Sequence, residues 1–399
     1  MFAGVFAMAL ATAPAVSATA DTTDGNWWYD YYDVGQAHAQ GWTGKGVKIT
    51  VIDGQINPDL PVFSGADLTI DKTSYCDASP FITEANETSV HGSSVTALLI
   101  GNGTGAGAVK GIVPDASVRF EGYGTLDCKG AGGKTTEFGR ALQAAVDSGS
   151  DIVTTSIGTT ALSKPDLAAL AGALAKGVIV VAAVPNASTE GSDLPSGANG
   201  VVSVNALGQD GTIQAHDGAT TINPEVTVLA AGVGIATNGD EQSASWDSSY
   251  RAIGSSFATP LVAGMLAAAK QKYPDASSNQ LIQSLIHNTT PDDHELMRDE
   301  KTGFGYGPVS LTHLLAVDPV QYPDKNPLLD KAYAKPTAEQ VADVGTAATA
   351  APTAKVGTGG ELPGSGGVPV PLIVGIVVGV VVIAGVVVIV AVLGGRRRK

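Results

Sequence analysis

A serine, a histidine and an acid stand in this chain at the edges of apolar segments. Asp53 closes the run Val47-Lys-Ile-Thr-Val-Ile, His91 opens His91-Gly92-Ser93-Ser94-Val95, and Ser256 lies in Gly254-Ser255-Ser256-Phe257-Ala258-Thr259-Pro260. A serine hydroxyl attacks a carbonyl only when a base removes its proton, and a base is effective when a third group orients it. These are therefore the residue types of nucleophilic acyl transfer. Taken singly, each has a plainer role: a strand-end acid, a surface or cap histidine, an N-cap serine.

The elements around them follow from hydrophobic period. Short β-branched runs read as buried strands at Val47–Ile52, Ile152–Thr155, Val178–Ala182, Val201–Val204 and Val226–Leu229. Helical patterns lie at Glu137–Asp147, Asp166–Lys176, Ser256–Gln271 and Ser278–His287. Val95, Leu98 and Leu99 share a helical face, which puts His91 near a first turn. Phe257, Leu261 and Met265 do the same, and Pro260 is expected in a first turn, where its missing N–H has no partner to lose. Strand and helix in alternation predict an α/β domain with a mainly parallel sheet and helices on both faces. In such sheets ligands bind at the carboxyl ends of the strands.

The chain has 399 residues, of which 44% are apolar, so a large core is expected and wholesale disorder is excluded. Acidic residues outnumber basic ones 38 to 23, for a formal net charge of −15. That argues against nucleic acid as a partner, because phosphate binding needs clustered Lys and Arg. The two cysteines, Cys76 and Cys128, are too few for a Cys-rich zinc module or a disulfide-dense scaffold. No His-Glu-x-x-His helix and no contiguous Asp/Asn-rich loop occurs, so no metal and no cofactor is assigned. His38, His216, His287, His294 and His313 read as structural or surface residues. The aromatic segment Trp27–Tyr32 reads as packing on its own domain, with a partner patch as the alternative.

The order Asp53, His91, Ser256, each at an element boundary, resembles the subtilisin-like serine proteases. The resemblance spans roughly residues 40 to 315. Gly111-Ile-Val-Pro-Asp-Ala116, Ser156-Ile157-Gly158 and Val180-Val-Ala-Ala-Val-Pro-Asn186 are similar to further landmarks of that family. It implies a three-layer α/β domain and an endopeptidase. Ser256 is then the nucleophile, His91 the base and later the acid, and Asp53 the group that holds the tautomer. Asn186 donates its side-chain amide to the oxyanion beside the Ser256 backbone N–H. Ser156, Ile157 and Gly158 pair with a protein or peptide substrate as an added strand. The chain departs from the family pattern in Gln55 after Asp53-Gly54, in Ser93, in Ser255 and Phe257 around Ser256, and in Pro185 before Asn186. Pro185 matters most, because it fixes φ and removes a donor next to the oxyanion residue.

Both ends of the chain carry targeting signals. Residues 1–20 hold no charged side chain and end in Ala18-Thr19-Ala20, the small-residue pattern of a signal peptidase site. Leu372–Leu393 has no polar side chain and, at ~1.5 Å per residue, reaches roughly 33 Å, enough to cross a bilayer. Arg396-Arg-Arg-Lys399 follows and is expected to stay in the cytoplasm, which places the preceding domain outside. The expected organisation is a signal peptide at 1–20, a catalytic domain with a short N-terminal extension at 21–320, and a Pro/Ala/Gly-rich linker at 321–371. A transmembrane helix at 372–393 and a basic tail at 394–399 complete it. In an oxidising compartment a Cys76–Cys128 bridge would close a loop of about 50 residues, worth about 4 kcal/mol; two free buried thiols are the alternative. The layout is similar to that of the mycosins, membrane-anchored subtilases, and implies a link to a type VII secretion complex. The reading from another class is a structural component of that complex with a dormant site.

Overall fold

The structure is a computed structural model that describes residues 25–75, 79–123, 137–159, 161–187, 194–290 and 296–349. Two short helices, α1 (Trp27–Tyr31) and α2 (Val34–Ala39), precede β1 (Lys48–Asp53) and β2 (Leu68–Ile70). Then come α3 (Glu87–Ile100), β3 (Ser117–Gly122), α4 (Phe138–Asp147), β4 (Ile152–Thr155), α5 (Lys164–Ala175), β5 (Ile179–Ala183) and β6 (Val202–Leu207). The hairpin β7 (Ala215–His216) and β8 (Ala219–Thr220) leads to β9 (Val228–Ala231), and β10 (Val233–Ala236) pairs with β11 (Arg251–Ile253). Helices α6 (Ser255–Lys272), α7 (Ser278–His287), α8 (Leu311–Ala316) and α9 (Ala338–Thr349) follow.

The main sheet has the order β2-β3-β1-β4-β5-β6-β9, with every pairing parallel. Side chains alternate across it. Ile49, Val51, Ile152, Ile179 and Val181 meet α3 and α6, whereas Ile52, Val153, Val180 and Ala182 meet α4 and α5. Both faces are therefore buried, which is why the strands read as continuous apolar runs. This is the expected three-layer α/β arrangement.

Two features depart from what period in the sequence indicates. Helix α3 is buried on nearly all sides from Ser89 to Ile100, with His91 the exception, so it lacks the polar stripe of a surface helix. Pro260 is the sixth residue of α6, past the first turn where it was expected. Trp28 is completely buried and Tyr32 nearly so, with its hydroxyl accepting from the Ala231 N–H at 2.8 Å, so the N-terminal aromatics pack on their own domain; Tyr31 alone is exposed.

The stretch expected to begin a linker at residue 321 begins instead as part of the domain. Leu328 and Lys331 are buried, and α9 packs along α5. The segment has few large apolar residues, but its backbone bonds to the domain: Gly200 N–H to Leu328 O at 2.7 Å and Asn199 N–H to Lys335 O at 2.8 Å. Among the described residues no helix is long and apolar enough to cross a membrane. The expected signal peptide, the span 372–393, the basic tail and the Cys76–Cys128 pair lie outside the described residues.

Candidate active site

Asp53 is the last residue of β1 and has the parity of Ile49 and Val51, so its side chain leaves the sheet on the α3–α6 face. It is 1% exposed. Its Oδ1 accepts from the Gly54 N–H at 2.7 Å and from His91 Nδ1 at 2.8 Å. His91 is the fifth residue of α3, whose start is set by Asn86: its side chain accepts from Ser89 N–H at 3.0 Å, and Ser89 Oγ accepts from Asn86 N–H. Gly92 lets this helix reach the strand end. A Cβ there would stand 2.2 Å from Gln55 O, two residues past Asp53, so only glycine fits after the histidine. Ser93, where the family has Thr, accepts from Asn57 N–H at 3.0 Å through its hydroxyl.

Burial pulls the His91 pKa down, but the charge and hydrogen bond of Asp53, aided by Glu87 and Glu241, outweigh it. The net shift is upward. The carboxylate therefore favours the imidazolium, the species a general base becomes once it has taken a proton.

Ser256 is the second residue of α6 and is 8% exposed. It makes no cap bond; Gly254 occupies the N-cap. Its hydroxyl lies 3.4 Å from Ser156 O, and the His91 ring packs edge-on against the adjacent Phe257 with centroids 5.7 Å apart. Pro260 also shapes this turn. It has no N–H to give to the carbonyl four residues back, which is that of Ser256. Ser156 Oγ donates to that carbonyl instead, at 2.8 Å. The nucleophile candidate is thereby tied to the segment after β4.

Asn186 lies in the turn after β5. Its Oδ1 accepts from Ser255 N–H at 3.0 Å and from Gln214 Nε2 at 3.2 Å, with Ser255 Oγ also 3.0 Å away. Thr221 Oγ donates to its backbone carbonyl at 2.8 Å. With the oxygen so engaged, the amide nitrogen has no partner among the described residues. It lies beside Gly254, where a Cβ would come 3.3 Å from it. The Ser256 N–H is in the first helical turn, where no intrahelical acceptor exists. Two donors thus stand ready near one hydroxyl. Pro185 removes one N–H from this turn without unseating Asn186. Gln214, buried and also bonded to Asn205 Oδ1 at 2.8 Å, was not foreseen. It stands just before β7, and only its contact across the sheet end marks it.

Ser156, Ile157 and Gly158 continue from β4, and Ile157 and Gly158 make no backbone bond among the described residues. Beyond Ser256 lies a cavity of about 260 Å³ walled by Ser156, Thr159, Ala183, Val184, Leu194 and Ser196, and none of the described lining residues is charged. Asp53, His91, Asn186, Ser256 and Ser156 are therefore brought to one sheet edge. Among the described residues no group of His, Cys, Asp and Glu could hold a metal.

The profile of the subtilase family (peptidase S8) matches residues 44–307. A thermostable alkaline protease of Halalkalibacterium halodurans is 28% identical over 267 residues, 66% of this chain and 68% of that protein. The minor extracellular protease Epr of Bacillus subtilis is 30% identical over 292 residues, 71% of this chain but 41% of that protein. Among solved structures, MycP1 from the ESX-1 type VII secretion system superposes with a TM-score of 0.59 at 20% identity, covering 79% of this chain and 91% of that one.

Proposed function

The chain belongs to the subtilase family of serine endopeptidases, and from that premise we propose that Asp53, His91 and Ser256 form its catalytic triad. The observation that carries this is the 2.8 Å bond from His91 to the buried Asp53, with the His91 ring against the neighbour of Ser256. A peptide bound along Ser156–Gly158 presents its carbonyl to Ser256. His91 takes the hydroxyl proton, and the Asn186 amide and Ser256 N–H receive the charge that develops on the oxygen. His91 then returns the proton to the leaving amine. A rotation of the Ser256 side chain away from Ser156 O engages His91, as catalytic hydrogen bonds often tighten only when substrate binds.

The protease is further proposed to be anchored by Leu372–Leu393, with the domain outside the cell membrane, and to serve a type VII secretion complex. The apolar run with its basic end supports the anchor. The shared fold of MycP1 supports the link to secretion. In that compartment Cys76 and Cys128 form a bridge that resists alkylation until reduced.

The test is a fluorophosphonate label on the purified full-length chain. Wild type takes the label; Ser256→Ala does not. Ser256→Ala and His91→Ala each abolish peptide cleavage, and the double change adds little because the groups act as a unit. The reading fails if wild type neither labels nor cleaves any peptide in a broad library. Full secretion by Ser256→Ala, with loss on deleting the domain, would favour a scaffold.

A further inference from the structure

The segment 326–336 lies beyond the residues that match the family, yet it is bonded to the wall of the cavity next to Ser256. One side of that wall is Leu194 and Ser196, at the start of the stretch that runs to Ser203. Leu194 is held on its inner side by Thr159, with N–H to O bonds of 2.9 and 2.7 Å in the two directions. The outer side of the stretch is held by Lys331, which is 2% exposed. Lys331 Nζ donates to Ser196 O and Val201 O, each at 2.7 Å, and to Ser203 Oγ. Ser203 Oγ in turn donates to Ser196 O at 2.7 Å. An ammonium has three protons, and all three are used on this one loop. The surrounding backbone repeats the attachment. Lys331 N–H donates to Asn199 Oδ1 at 2.9 Å, Asn199 Nδ2 to Pro336 O at 3.0 Å, and Gly200 N–H to Leu328 O at 2.7 Å.

We propose that residues 326–336 are a strap that completes the substrate pocket, and that Lys331 is a positioning residue setting which uncharged side chain the pocket accepts. This rests on the endopeptidase reading. A buried lysine is a costly way to fill space, and a hydrophobic residue would fill it more cheaply. What the ammonium does that an apolar group cannot is gather three oxygens of one loop into fixed positions. One of those oxygens belongs to Ser196, whose residue faces the cavity. Burial lowers the Lys331 pKa, Glu225 opposes that, Arg298 adds to it and Asp330 opposes it. Burial outweighs the two carboxylates, and the pKa falls to about 7. The occupant class follows from the described lining of hydroxyl, small and aliphatic side chains: the pocket takes small to medium uncharged side chains.

The test compares wild type with Lys331→Met, which keeps the aliphatic stem, and with Ser203→Ala, which cuts only the link through the hydroxyl. The substrates are peptides differing solely in the residue that enters the pocket: Ala, Leu, Phe or Lys. Wild type is expected to cleave after uncharged residues and not after Lys. In Lys331→Met the KM of the best substrate should rise about tenfold and the preference among Ala, Leu and Phe should narrow, as three buried acceptors lose their donor. The kcat and the fluorophosphonate labelling rate should stay within about twofold, since Asp53, His91, Asn186 and Ser256 are untouched. Amide hydrogen exchange at Ala198, Asn199 and Gly200 should speed up about tenfold, with β1 unchanged. Should Lys331→Met not fold, Ser203→Ala carries the same signs at smaller size. An unaltered preference and unaltered exchange in both variants would overturn the strap's role, and so would a uniform acceleration across the whole domain. If wild type is inert toward label and peptides, the endopeptidase reading fails, and exchange at 198–200 alone decides whether Lys331 holds the wall.

Discussion

His91 shows how a residue's protonation is set by two opposed causes. Burial favours the neutral ring and Asp53 favours the charged one; Asp53 wins with help from Glu87 and Glu241. With His91 as the proposed base, which must be neutral to act, the acid limb of the pH–rate profile should have its midpoint above the ordinary histidine value of about 6.5. Asp53→Asn should move that midpoint down, since only Glu87 and Glu241 then oppose burial, and lower kcat by about 10⁴. The linkage to stability has the matching sign. A pKa raised on folding stabilises below the unfolded value and ceases to do so as pH rises through the folded one. Melting curves should thus show Asp53→Asn most destabilised on the acid side. Asn186 gives a second residue-scale expectation. Asn186→Ala should lower kcat by about 10²–10³ with KM nearly unchanged. Gln214→Ala, which frees one of the bonds on Asn186 Oδ1, should lower kcat by about tenfold with KM again held.

At the scale of elements, the first turns of α6 depend on the segment after β4. Pro260 withholds its N–H from Ser256 O and Ser156 Oγ supplies the missing donor. Ser156→Ala should leave that carbonyl unpaired, costing about 1–2 kcal/mol in thermal or denaturant unfolding and slowing cleavage. Pro260→Ala offers the helix its own N–H. The double variant Ser156→Ala/Pro260→Ala should therefore recover part of the lost stability, a favourable coupling readable from a double-mutant cycle. Additive losses would mean that Ser156 Oγ does not stand in for the missing N–H. Helix α3 makes the complementary point. Its place is set by Gly92, which admits the Gln55 backbone, so the glycine after the histidine belongs to packing as much as to sequence signature.

For the whole molecule, the domain ends later than composition indicates. A chain cut after residue 349 should melt cooperatively near the temperature of the intact domain. One cut after residue 320 loses buried Leu328 and Lys331 and should be destabilised by roughly 3–5 kcal/mol, seen as a lowered melting temperature. Fractionation of cells tests the anchor: the full chain should be recovered with membranes, and a chain ending at residue 365 should be released soluble. Recovery of that shorter chain in membranes would count against Leu372–Leu393 as the anchor.

The order Asp53, His91, Ser256 and the strands and helices they border were legible in the sequence by itself. Each rests on local rules, the continuous β-branched runs of strands buried on both faces and the chemistry of residues at element ends. Helix α3 was half-visible, since an apolar surface all round leaves no amphipathic stripe to read. What the tertiary structure alone decided spans long separations. Gln214 meets Asn186 across 28 residues, Ser156 serves the carbonyl of Ser256 across 100, and Lys331 holds the pocket wall at Ser196 across 135. No local propensity pairs such groups. The first two pairs meet because the parallel sheet gathers the ends of β4, β5 and β6 on one side, and Lys331 meets the segment that enters β6; in each case a buried donor must find an acceptor.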